Sequence, residues 1–192
     1  MYSKLNRVFW AVVIMKISIN IGMINIFPDF LGWAFFIYTL KQINHEWEND
    51  DVDKSLKIGA LLTFFYVVVE IGVFANTIDK TTMFFGILKI IGSILSVASL
   101  GLFFIGTREE ISKISTTDGN ELESRTKHFL ITNTILILGM IVYLSIPNAE
   151  VYAGLFIIFG GLIGILALYY TLSIPYFIKT RKYFKNNEVS IA

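Results

Sequence analysis

Residues 83–105 read MFFGILKIIGSILSVASLGLFFI, 23 positions with a single charge, Lys89. A helix rising about 1.5 Å per residue needs about 20 mostly apolar residues to cross about 30 Å of hydrocarbon. This run has that length, and a helix apolar on every side has to be covered by protein or by lipid. Comparable runs lie on both sides of it. The apolar pattern predicts helices over about residues 8–26, 57–75, 83–106, 127–146 and 152–178, with a shorter one over about 29–45. The expected fold is all-α: a polytopic six-transmembrane-helix bundle with a short second helix, forming one integral membrane domain over residues 1–192.

Composition agrees. The chain is 55% apolar and 16% charged, against about 45–50% and about 25% in soluble domains, and its mean hydropathy is +0.65. It has no cysteine, which excludes a disulfide framework, thiolate metal sites and cysteine nucleophiles. A net charge of +1 leaves no basic surplus for nucleic acid. The 30 Ile against 9 Ala, and 12 Lys against 4 Arg, fit an AT-rich genome, so the expected location is the cytoplasmic membrane of a bacterium, with the lipid bilayer as first partner.

Basic residues set the orientation, because cytoplasmic segments are rich in Lys and Arg. With six spans and both termini cytoplasmic, thirteen Lys and Arg fall inside and only Lys80 outside. A re-entrant second helix would instead leave eleven inside and three outside. Phe27-Pro28-Asp29 announces that helix, since Pro suits a first helical position and Asp the positive end of the dipole. Lys4 and Arg7 before an apolar run imitate a signal peptide. Lys16 interrupts the run and no small-x-small site follows, so the first helix is expected to be retained.

Ionisable groups inside a span are costly and are therefore candidates for function. Lys16, Glu70 and Lys89 are the three, and Asn20 joins them by position. On the expected helices Lys16 and Asn20 share a face at i, i+4, as do Thr63, Tyr66 and Glu70, and Lys89, Ser93 and Ser96. A short connection makes helices three and four antiparallel neighbours, so Glu70 and Lys89 are placed to pair. The expected site is a polar interior in the outer half of the bundle, built from Lys16, Asn20, Glu70 and Lys89. One reading is a structural ion pair. The other is a binding or translocation site for a small solute or ion, and two lysines against one glutamate would favour an anionic one.

Weaker signals complete the pattern. Gly160 and Gly164 form a GxxxG in the last helix, expected to pack closely inside the bundle or against a membrane protein partner. That partner defines the alternative function, an accessory, structural or signalling subunit. Glu46, Glu48, Asp50, Asp51 and Asp53 read as a solvated loop without calcium-loop spacing, residues 115–120 as a turn with Asn120 capping the next helix, and His45 and His128 as surface groups. No His lies within a span and no carboxylate pair shares a face, so neither an enzyme, a metal nor a cofactor is expected.

Residues 19–33, INIGMINIFPDFLGW, resemble the N-terminal signature of a group of uncharacterised multi-pass integral membrane proteins of Firmicutes, which read approximately Asn-Ile-Leu-Pro-Asp-Phe-Ile-Gly-Tyr. Phe27 stands where that signature has Leu, and Trp33 where it has Tyr. The resemblance implies a bacterial membrane location and assigns no activity. Size and topology are also similar to the six-helix substrate-binding subunits of energy-coupling-factor vitamin transporters. Those carry an Ala-x-x-x-Ala face in the first helix, and Ala11 has no such partner here.

Overall fold

The computed structural model describes residues 2–16, 20–21, 24–25, 29–80, 82–146 and 153–180. Six helices follow one another: α1 (Tyr2–Lys16), α2 (Asp29–Trp47), α3 (Asp50–Phe74), α4 (Met83–Ser112), α5 (Thr116–Ser145) and α6 (Ala153–Thr180). Between α1 and α2, β1 (Asn20–Ile21) pairs antiparallel with β2 (Ile24–Asn25), Asn20 opposite Asn25 and Ile21 opposite Ile24. Each helix packs on its sequence neighbours, and α6 returns to α1, closing a ring.

Four of the helices, α3 to α6, are long and apolar enough to cross a membrane. They hold 25 to 30 residues each, about 37–45 Å at the helical rise. Their outward faces carry bare apolar side chains, with Phe74 86%, Ile157 72% and Phe64 68% exposed. Lipid is the solvent that suits such a surface.

The first helix departs from expectation. A helix over 8–26 is not formed: α1 begins at Tyr2, ends at Lys16, and is followed by the paired strands. Its 15 residues cover only about 22 Å. The cause is legible in residues 17–26, ISINIGMINI, where isoleucine alternates with polar residues on each side of Gly22. A period of two and β-branching suit a strand, and a Gly-x pair between two such runs suits a hairpin. The expected turn at residues 115–120 is likewise mostly helix. Ser115 caps α5 by accepting from the Asp118 N–H, and Asn120 lies within the helix. Gly119 permits this start, because a Cβ there would stand 2.1 Å from the Ser112 hydroxyl.

Buried side chains concentrate at one end of the ring. They come from α1 and α2, the first half of α3, the second halves of α4 and α6, and the first two-thirds of α5. Aromatic rings cross this core edge to face, Trp33 on Phe36, Phe36 on Phe103 and Phe104 on Phe129, with centroids 5.1–5.6 Å apart. The same end carries the seven ion pairs among the described residues, so it is called the charged end below. At the opposite end α3 to α6 continue with little buried between them.

Candidate functional site

Of the four expected site residues, Glu70 and Lys89 are the two whose side chains are described, and these two do not meet. Lys16 is the last residue of α1 and Asn20 the first of β1, so the shared helical face at i, i+4 does not exist. Their side chains lie outside the described residues. Glu70 is half-buried on α3 and Lys89 exposed on α4. The expected pair between them is not made, and among the described residues neither forms an ion pair.

The reason lies in how α4 is turned. It shows α3 the line through Gly92 and Ser99. A Cβ at Gly92 would meet the Tyr66 hydroxyl at 2.9 Å, and Ser99 exchanges hydrogen bonds with Ser55. Gly86 and Ile90 lie on another face, toward α5 and α6, and Lys89 falls with them. The Lys89 ammonium stands 5.4 Å from the centre of the Phe85 ring.

Lys89 there lines a cavity of about 640 Å³ between α4, α5 and α6. Its walls are apolar side chains such as Ile135, Leu136 and Ile163, with Tyr143 set edge to face on Phe156 at 5.1 Å. Among the described residues Lys89 is the one charged residue of the lining. Glycine makes the space. Gly86, Gly139 and Gly160 each thin one wall, and a Cβ at Gly139 or Gly160 would meet nothing within 4 Å. Three helices thus leave a hollow of ligand size, since small-molecule sites run from about 300 to 1,000 Å³. An ammonium among apolar walls is poorly solvated, and an anion brought beside it relieves that cost.

The GxxxG of α6 does not serve packing within the chain. At Gly160, Gly161 and Gly164 an added Cβ would have open space on every side. Gly160 opens the cavity instead, and Gly164 lies beyond it.

The charged end is tied together by caps, ion pairs and hydrogen bonds between helices. Asp50, Asp51 and Asp53, expected in a solvated loop, form the first turn of α3, where carboxylates suit the helix dipole. Asn49 caps that helix by accepting from the Asp51 and Val52 N–H groups. Its amide donates to Glu109 at 2.9 Å, tying the α2–α3 turn to α4. Lys4 pairs with Glu46 across α1 and α2. Lys127 at 2.8 Å and Arg108 at 2.6 Å hold the two oxygens of Glu123. The hydrogen bond from Lys127, then the charge of Arg108, keep the Glu123 carboxyl below its ordinary value. His128 stacks on Tyr170 at 5.3 Å and its Nδ1 stands 2.7 Å from the Ser124 carbonyl oxygen. Among the described residues no three His, Asp or Glu side chains are disposed to hold a metal ion.

Sequence reasoning did not foresee the cavity itself. Its signal was the placement of glycines at 86, 139 and 160, one on each of three apolar helices. Compared with protein-family models, curated proteins and solved structures, the chain matches none.

Proposed function

We propose that the protein binds a small amphipathic anion within the membrane, with the cavity between α4, α5 and α6 taking the apolar part and Lys89 the charged group. The observation that carries this reading is a space of about 640 Å³ in which, among the described residues, one lysine stands against apolar and glycine walls. Of the four residues expected from sequence only Lys89 lines it, so the reading stands on Lys89 and not on Lys16, Asn20 or Glu70. In the same proposal the chain is a multi-pass protein of a bacterial cell membrane, of the group with the Pro-Asp-Phe-Ile-Gly-Tyr-like signature. The α1–hairpin–α2 segment completes a six-span topology, and the charged end faces the cytoplasm.

The test uses purified protein in neutral detergent and an anionic naphthalene-sulfonate dye whose emission rises in an apolar pocket. Removing a charge-assisted contact costs about 1.5–3 kcal/mol, so Lys89→Met should weaken dye binding about tenfold or more while Lys89→Arg retains it. Equal affinity in Lys89→Met and the parent protein would overturn the site.

A second reading, a non-catalytic subunit of a larger membrane complex, is favoured by the open face at Gly164. Gly164→Ile should then abolish co-purification of the partner while leaving dye binding intact, because Gly164 does not line the cavity.

A further inference from the structure

At the charged end a second groove, of about 560 Å³, runs between α1, α5 and α6. Phe9, Arg125, Ser173, Tyr176, Phe177 and Thr180 line it. Two cations are fixed at it by aromatic rings: the Arg125 guanidinium lies 4.8 Å from the centre of Phe177, and the Lys179 ammonium 4.4 Å from the centre of Phe9. Glu121 satisfies part of the Arg125 fork, through bonds of 2.7 and 3.1 Å. Among the described residues Lys179 has no carboxylate partner.

The chain sequence continues the same charge. Lys179, Arg181, Lys182 and Lys185 fall within seven positions at the end of the last apolar helix, and the next acid is Glu188. A basic run in the sequence that begins in the last turn of a spanning helix attracts anionic lipid. Apolar rings below and cations above match a glycerophospholipid, with acyl chains along Tyr176 and Phe177 and a phosphate toward Arg125 and Lys179.

We infer that this groove is a binding site for an anionic phospholipid of the leaflet bordering the charged end. It is independent of the Lys89 cavity, which shares none of its residues and opens at the other end of α6.

Trp10 supplies the readout. It is 51% exposed and its ring lies 5.5 Å from that of Phe9. The protein is reconstituted in phosphatidylcholine vesicles in which a fraction of the lipid is brominated, either as phosphatidylglycerol or as phosphatidylcholine. Quenching of Trp10 is the difference between the full chain and Trp10→Phe. Brominated phosphatidylglycerol should quench more strongly at equal mole fraction, with a preference of about fivefold per engaged cation. The double variant Arg125→Gln/Lys179→Gln should lower the preference about fivefold for each cation removed, and Lys179→Arg, which keeps charge and fold, should preserve it. Equal quenching by the two lipids in the parent chain would overturn the inference. So would a preference that the double variant leaves unchanged, and displacement by millimolar glycerol phosphate would rule out lipid as the occupant.

Discussion

Glu123 receives Lys127 from its own helix and Arg108 from α4, one on each oxygen. Because both favour the carboxylate, its proton affinity is lower in the folded chain than in the unfolded one. The sign for stability follows. A depressed carboxylate stabilises the fold above its unfolded pKa, near about 4.3, and that contribution disappears as pH falls through the lower folded value. Lys127→Gln should therefore move the Glu123 titration upward toward about 4.3 in a carboxyl-carbon NMR experiment. An unmoved titration would show that Arg108 alone sets it. A different residue governs how α1 meets α2. A Cβ on Gly32 would stand 2.8 Å from the Met15 nitrogen and 3.0 Å from its Cα, and backbone, unlike a side-chain tip, does not swing aside. Gly32→Ala should cost about 1–3 kcal/mol of stability by thermal or denaturant unfolding. Gly139→Ala, with open space around it, should instead gain up to about 1 kcal/mol from helix propensity. Gly32 and the buried Trp33 beside it thus have a packing role at one contact between α1 and α2.

Near the start of α3 and the middle of α4 the two helices are joined by an exchange of hydroxyls. Ser55 donates to the Ser99 carbonyl at 2.7 Å, Ser99 donates to the Ser55 carbonyl at 3.0 Å, and both residues are fully buried. Interhelical hydrogen bonds in membranes average about 0.6 kcal/mol each, so Ser55→Ala/Ser99→Ala should lose about 1–2 kcal/mol. Each hydroxyl's carbonyl acceptor survives the other's replacement, so a departure from additivity would come from the 3.3 Å approach of the two Oγ atoms. Additive losses would show that the hydroxyls act independently. This contact illustrates what periodicity leaves open. Ser96 and Ser99 look alike in the apolar run, yet Ser96 turns its hydroxyl back to Gly92 on its own helix while Ser99 crosses to a neighbour. Length and apolarity made α3 to α6 readable, because a run that long has no other use. Residues 17–26 misled for the opposite reason: their isoleucines satisfy an apolar count while their alternation with Ser18, Asn20 and Asn25 satisfies a strand. Counting hydrophobicity over a window hides a period of two. The ionisable residues were readable as unusual, but the direction each one faces depends on helix rotation. That rotation is set by contacts such as Ser55 with Ser99, which no spacing announces, and it turned Lys89 away from Glu70.

Across the whole molecule, charge and burial gather at one end and apolar exposure at the other. The ring of six helices is complete where α1 and α2 contribute, and those two are the shortest helices. Orientation then follows from the charged end as a unit: the start of α1, the α2–α3 and α4–α5 connections and the end of α6 must lie on one side of the membrane if all six helices cross. The chain has no cysteine, so single cysteines report without background. Three exposed positions divide the possibilities: Ser3 before the first apolar run, Ile114 in the α4–α5 connection, and Lys80 between α3 and α4. In sealed, right-side-out vesicles an impermeant maleimide should label Lys80→Cys at once, and Ser3→Cys and Ile114→Cys only after permeabilisation. Labelling of Ser3→Cys from outside with Ile114→Cys still protected would mean an odd number of crossings between them, as in a five-span chain whose second helix is re-entrant. Labelling of Lys80→Cys and Ile114→Cys from the same side would mean that α4 does not cross, although its 30 residues exceed the about 20 that a bilayer requires. The expected pattern sets Lys89 beneath the outer surface and Arg125 with Lys179 at the inner one, which gives the two proposed sites opposite leaflets to draw from.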